Sequence, residues 1–600
     1  MIDMAPKRWA PTVSLSWLTG PIFDKELRVS SRRRRNYVLR FVYVVFFLVF
    51  ASLIWMEEMP SGAGSVYQVS RMGRAAQQIV VSVVWFQFIA SQAVAIVMLS
   101  TAISDEIYNK TLGLLMTTPI SGFQIVIGKL LSKLLQLALL LAITLPLLAI
   151  TRVLGGVPWG YLVGGLCVTL STALFCGALS LFFSIFTRKA YAAIITTAIM
   201  AAVWFGLVPG ISIPALHNVI SERAITDALC RVNPYCMLVA DTIRLMTGQS
   251  ISSVHWTAHC GVSLAGSALL LFWATVFVRK AALRQAVGWQ PQVRGTWGWH
   301  RSGRDAERHP PLPMSIGTLE AATRRSLVRR VTGSPVFWKE RRSPLLGRLG
   351  LGKIVIGIVL IALAVLAYVS CARQNMLNDS ETQVAYVVVF FALGTLFAAV
   401  LPATCITSEK ESRSWPILLT TPISDRAILW GKFLGAVRQC SIAWLPLFAH
   451  VGLFTVLGTI RPIGVVQLAV VAAWLTVFLC ATGLYFTSRL ARTTTAVIAN
   501  VSLAAGLWAL LPLFLAIVDE VFRIHGGFPS VYEDMNPFVQ AIVITDATAR
   551  RQLHDYNWMQ DGMRRAGEAT KWILLNGALY VVIGLGFLAR ARARLRRNPV

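Results

Sequence analysis

Long apolar runs separated by short polar stretches dominate the chain. A bilayer core of about 30 Å needs roughly 20 apolar residues per helix. Runs of that length lie near residues 38–56, 79–103, 130–154, 162–186, 190–214 and 254–278, and again near 354–371, 384–406, 433–457, 463–486, 495–518 and 572–588. The pattern predicts an all-α polytopic membrane protein with twelve spans in two sets of six, and no soluble domain fits between them.

The two sets are copies. TTPISGFQIVIGK, residues 117–129, returns as TTPISDRAILWGK, residues 420–432, with eight of thirteen positions identical at an offset of 303. The offset also relates Glu106 to Glu409, Lys110 to Arg413, Lys189 to Arg492, Pro209 to Pro512, and Asn233-Pro234 to Asn536-Pro537. Upstream, PIFDKE (21–26) matches PVFWKE (335–340) at an offset of 314, which makes the first loop of the first half longer. Six spans return the chain to its starting side, so the halves are parallel rather than inverted repeats. The organisation expected is a first half at 1–282, a second at 334–600, and a Pro-, Gly- and Arg-rich basic linker at 283–333.

Composition agrees: 56% of residues are hydrophobic and 14% charged, with mean hydropathy +0.63. The net charge of +29 would suit a nucleic-acid partner, but its placement argues otherwise. Lys and Arg crowd before the first span (Arg32 to Arg35), in alternate loops (Lys110, Lys129, Arg188, Lys189, Arg279, Lys280) and at the C-terminal RARARLRR. That alternation is the topology signal of cytoplasmic loops, so both termini are expected in the cytoplasm of a cell-membrane protein, and no nucleic-acid motif accompanies the charge. The first apolar run follows a long charged segment and has full span length, so it reads as an anchor rather than a cleaved signal. Nine cysteines form no CxxC pair; Cys230 and Cys236 share one loop and can bridge, and the others read as small hydrophobes.

In TTPIS, Thr before Pro suits a helix start, with Thr as cap and Pro in the first turn. The apolar patches before it, LGLLM and ILL, lie outside the spans and need cover. The segment after it runs through Gly128-Lys129 and Gly431-Lys432 into the third and ninth spans, where a lysine is expected to reach toward lipid headgroups. Each half thus offers either a docking helix for a partner or a surface helix that only joins two spans. The duplication favours a two-fold partner.

SDEIYNKTLGLLMTTPISGFQIVIGK and TSEKESRSWPILLTTPISDRAILWGK both resemble the loop between the second and third spans of ABC-2 type transporter permeases, whose pattern is close to E-x-E-x-G-T-L-E-x-L-L-x-T-P-x-S followed by G-K. P-x-F-x-K-E before the first span of each half and Asn-Pro-aromatic before the last are also similar to that family. The resemblance implies the complete membrane part of an ABC exporter, with coupling helices that dock on cytoplasmic ABC ATPase subunits, two in number. The matching positions are Glu106, Thr111, Leu112, Leu115, Thr118 and Pro119 in the first half, and Glu409, Glu411, Leu418, Leu419, Thr421 and Pro422 in the second. Departures are Lys110 and Arg413 for the family's Gly, Gly113 and Pro416 for its Glu after T-L, and Ser414-Trp415 for Thr-Leu.

An ATPase within the chain is excluded. Gly347 to Lys353 fits G-x-x-x-x-G-K, but Ile354 stands where Ser or Thr is needed and no strand precedes it. ATP and magnesium therefore belong on the partner, and the chain needs no cofactor of its own. A secondary transporter with six-plus-six repeats, or a membrane scaffold, are the alternatives. Coupling to an ion needs ionisable groups inside the membrane, and the spans offer little beyond His450, read as a packing residue; Gln87, Gln92 and Gln136 read as interhelical hydrogen bonders. His255 and His259 lack the carboxylate of HExxH, so no metal site is assigned. Sparse charge in the spans suits a hydrophobic cargo. The outer segments 215–253 and 519–571 begin turns at Asn233-Pro234 and Asn536-Pro537, and in the resembled family dip back into the membrane as re-entrant helices.

Overall fold

The computed structural model describes residues 65–108, 111–112, 117–118, 120–153, 156–187, 190–209, 220–286, 333–342, 351–522, 527–549, 556, 558 and 566–595, with isolated positions between 23 and 56. Nine of the nineteen residues of the expected first span, most of the linker and most of the GRLGLGK stretch lie outside these residues, as do Leu115 and Pro119.

Every described element is helical. The first half runs α1 (Ser65–Ser100), α2 (Ser104–Tyr108), α3 (Gly122–Val153), α4 (Trp159–Phe186), α5 (Ala190–Ala202), α6 (Glu222–Val232), α7 (Pro234–Thr247) and α8 (Trp256–Ala286). The second begins with α9 (Pro335–Arg342), α10 (Leu351–Arg373), α11 (Ser380–Val400), α12 (Thr407–Glu411), α13 (Trp415–Leu419), α14 (Asp425–Ala443) and α15 (Leu445–Val456). It ends with α16 (Pro462–Arg489), α17 (Thr493–Ala505), α18 (Leu511–Phe522), α19 (Phe528–Asp534), α20 (Pro537–Ala549) and α21 (Ala566–Arg594).

Among the described residues, eight helical stretches are long and apolar enough to cross a bilayer, or nine if α14 and α15 count as one span bent by 47°. That bend falls at Trp444, where Pro446 in the first turn of α15 removes a backbone donor. The expected span at 354–371 lies wholly within α10, and α5 continues through Val203–Leu207 to Pro209, the last described residue of the span expected at 190–214. With few waters to satisfy polar groups in a bilayer, hydroxyls inside the spans bond their own helix, as Thr169 Oγ1 does to Gly165 O (2.7 Å) and Thr476 Oγ1 to Ala472 O (2.7 Å).

Within each half the fourth span is the packing centre: α4 lies against α1 and α8, and its counterpart α16 lies against α11 and α21. Between halves, α5 packs against α11 and α17, and α17 packs against α1. Because α1 corresponds to α11 and α5 to α17, these contacts exchange partners as a two-fold relation requires. Ile194 and Ile195 of α5 sit in the apolar core of the second half, with Ile96 and Val97 of α1 alongside.

Candidate functional site

The two loops that carry the repeated stretch are held by ion pairs. Lys129 Nζ lies 2.9 Å from Glu106 Oε1, and Lys432 Nζ lies 2.8 Å from Glu409 Oε1 and 2.7 Å from Glu340 Oε1. Lys339 Nζ bonds Glu409 from the other side at 2.7 Å. The expectation that these lysines reach for headgroups is therefore corrected. Lys129 and Lys432 are buried, because carboxylates brought in by the neighbouring loop, and in the second half also by α9, satisfy the ammonium within the protein. Lys432 also donates to Cys405 O at 3.2 Å.

Glycine permits this closeness. A Cβ on Gly431 would stand 2.9 Å from Val336 Cβ and 3.0 Å from Phe337 N, so α9 rests directly on the backbone of α14. Gly128, the equivalent residue, is buried as well.

The start of the third span differs from the sequence reading. Ser121 caps α3, accepting from Gln124 N (3.2 Å) while Gln124 Oε1 accepts from Ser121 N (3.1 Å), a reciprocal capping box. Ser424 caps α14 by accepting from Ala427 N (3.3 Å). Thr118 is exposed, and Thr421 donates backwards to Leu418 O (2.6 Å), so neither Thr nor Pro422 begins a helix. The signal was in the sequence: Ser-x-x-Gln is a better start than Thr-Pro.

Glu411 accepts from Thr493 N at 2.7 Å and so caps α17, where a carboxylate meets the positive end of the helix. Lys410 donates to Ser488 O (2.9 Å) and Leu490 O (3.3 Å) at the end of α16. The loop thereby touches the ninth, tenth and eleventh spans at once. In the first half Thr111 Oγ1 donates to the Glu106 carboxylate, and Ser184 Oγ accepts from Ile103 N and Ser104 N, both at 3.1 Å. Thr487 repeats the Ser184 contact on Ile406 N at 3.1 Å.

Leu112 is fully buried among Leu99, Leu130 and Leu181, which removes it from any surface. Leu418 and Leu419 pack half-buried against the second core, while Ile417, the first residue of the ILL patch, is 69% exposed beside Trp415 at 1%. Arg413 takes φ 55°, the left-handed conformation natural to glycine, where the resembled family has Gly.

At the other end of the bundles, Asn233 and Asn536 do not start loop turns. They cap α7 and α20: Asn233 Oδ1 accepts from Tyr235 N (2.9 Å) and Cys236 N (3.2 Å), and Asn536 Oδ1 from Phe538 N (3.0 Å). Pro234 and Pro537 then occupy the first helical position, where no backbone donor is needed. Cys230 and Cys236 are both free thiols.

His450 Nδ1 meets Tyr368 Oη at 2.7 Å amid the rings of Tyr386, Phe390 and Phe454, a packed and hydrogen-bonded position. His259 is buried with Nδ1 3.1 Å from Arg231 O, whereas His255 pairs with Thr257. Among the described residues no group of three or more His, Cys, Asp or Glu is placed to hold a metal.

No relative among curated proteins matches the chain. Compared with protein families, residues 21–284 and again residues 335–592 match the ABC-2 family transporter protein. Matched twice and over most of its length, with clamped loops at equivalent places in both copies, this chain belongs to the ABC-2 transporter family as a multi-pass permease with two halves fused in one polypeptide.

Proposed function

We propose that the chain is the complete membrane part of an ABC exporter, driven by two separate nucleotide-binding subunits that dock on the loops at 104–121 and 407–424. The observation that carries this reading is the pair of equivalent clamps, Glu106–Lys129 and Glu409–Lys432. A load on either loop passes through an ion pair to a buried lysine into the helix behind it, and in the second half also through Glu411 into α17. Rigid-body displacement of one bundle against the other is then the natural response, because α5 and α17 lie on the contact between halves. ATP and magnesium sit on the partner subunits. The apolar residues Ile96, Val97, Ile194 and Ile195 at that contact favour a hydrophobic or lipid-like cargo. The docking face is cytoplasmic, with both termini on that side of the cell membrane.

The test is reconstitution in vesicles of the chain with the ATPase subunits made alongside it, using an amphiphilic fluorescent dye as probe. Dye movement that requires ATP and magnesium, and stops when Glu106 and Glu409 are both changed to Lys, is expected. Movement driven by a proton gradient without ATP would overturn the reading in favour of a secondary transporter.

A further inference from the structure

Span five departs from α-helical geometry at the same place in both halves. Val203–Leu207 and Gly506–Leu510 are π turns, 303 residues apart, continuing α5 and α17. In each, a backbone N–H reaches five residues back, Val208 to Val203 O and Leu511 to Gly506 O. Such a widened turn locally loosens the helix, and π turns of this kind concentrate at functional positions.

Each π turn has a donor from outside. Asn233 Nδ2 lies 2.7 Å from Phe205 O, and Asn536 Nδ2 lies 2.8 Å from Trp508 O. Phe205 and Trp508 are equivalent residues, and so are the two asparagines. These are the same side chains that cap α7 and α20. With Oδ1 committed to the backbone N–H groups of the helix start, only this orientation of the amide lets both ends bond. Both asparagines are buried, at 2% and 6% exposure.

The helices they cap are also fastened to the second spans. Tyr235 meets Phe88 edge to face at 4.8 Å, and Phe538 meets Phe391 in the same way at 5.3 Å. Phe88 belongs to α1 and Phe391 to α11, which together with α5 and α17 make the contact between halves. The first π turn itself touches α10 of the second half.

We infer that Asn233 and Asn536 are positioning residues that make each re-entrant helix and the π turn of its span one moving body. The π turn is the point at which span five yields most readily. The asparagine carries that bend into the helix over the mouth, at the end of the bundle away from the Glu–Lys clamps. Serine or aspartate would cap the helix nearly as well, but neither offers a donor that reaches the π-turn carbonyl as the amide does; asparagine does both. The inference rests on the exporter reading only for what drives the motion.

Amide exchange followed by mass spectrometry on the full chain in lipid nanodiscs separates the two duties, and no ATPase is present in the sample. In the wild type, segments 203–209 and 234–247 should open with a common temperature dependence, as should 506–512 and 537–549. The paired variant Asn233→Ser with Asn536→Ser keeps the caps. It should speed exchange in 203–209 and 506–512 about tenfold, the scale of one buried hydrogen bond, leave 234–247 and 537–549 near wild type, and separate their temperature dependences. The paired alanine variant should speed all four. Serine variants with wild-type exchange at the π turns would overturn the inference, and so would serine variants that loosen α7 and α20 as much as alanine does. Absence of ATP-driven transport in the wild type, with these exchange patterns present, would instead count against the exporter reading and leave this inference standing.

Discussion

Lys432 and Glu409, 23 residues apart, are joined at 2.8 Å with only 2% of the lysine side chain exposed. Glu340 closes on the same ammonium at 2.7 Å. Removing one member of such a group leaves like charges buried together. Lys432→Met should therefore lower stability by about 3–5 kcal/mol, read as a drop in the thermal unfolding midpoint in detergent. Adding Glu340→Gln and Glu409→Gln should restore most of it. Lys129→Met should cost less, because Glu106 is 25% exposed and water can take over.

Gly431→Ala tests the seat of α9. The new methyl meets Val336 and the backbone at Phe337, neither of which is a flexible side-chain end. Displacing α9 also pulls Glu340 from Lys432, so a loss of about 1–3 kcal/mol is expected, again in the unfolding midpoint. Gly452→Ala, with open space at its Cβ, is the control and should be neutral or stabilising.

The spans, the duplication and the family were legible because each rests on many residues at once: apolar length, a constant offset and an ordered set of motifs. Asn233 and Asn536 were also visible as a repeated pair, but only as turn formers. Their second bond goes to carbonyls 28 residues earlier, in π turns that no local pattern announces. Lys129 and Lys432 were misplaced for a similar reason. A lysine at a span start ordinarily reaches for headgroups, and what overrides that is a carboxylate 23 residues earlier in each half, joined for Lys432 by one 92 residues earlier. Ser121 and Ser424 were missed through preference for proline over the capping serine beside it.

Arg413 holds a left-handed conformation in the turn between α12 and α13. A Cβ there costs about 1–2 kcal/mol, partly offset in the variant by glycine's greater freedom in the unfolded chain. Arg413→Gly should stabilise the protein by about 0.5–1 kcal/mol, while Arg413→Val should destabilise it, both measured by unfolding midpoint.

Asp227 in α6 accepts from Ser252 Oγ (2.6 Å), Ser253 N (2.9 Å) and Ser253 Oγ (2.5 Å), tying down the approach to α8. These hydrogen bonds, led by that from Ser252, hold its carboxyl below its ordinary value of 3.8. A depressed carboxyl stabilises above the unfolded value, and the benefit is lost as pH falls through the folded one. Amide exchange in 249–255, corrected for its intrinsic pH dependence, should be flat from neutral pH to about 4 and rise only in stronger acid. Asp227→Ala should show the raised rate at every pH.

Ile417 and Trp415, two residues apart in α13, should separate docking from folding. Trp415 is 1% exposed within the second core, so Trp415→Ala opens a cavity and should cost about 3–5 kcal/mol whatever the partner. Ile417, 69% exposed, contributes little to the fold, and Ile417→Glu should leave the unfolding midpoint within about 0.5 kcal/mol of wild type. On a docking surface an apolar side chain buried by the partner is worth roughly 1.5–3 kcal/mol. Ile417→Glu should then weaken ATPase association at least tenfold in a pull-down titration of the purified components. Because the first half keeps its own loop, association should become half-stoichiometric rather than vanish. Unchanged affinity at both sites would make α13 a surface connector between two spans and nothing more.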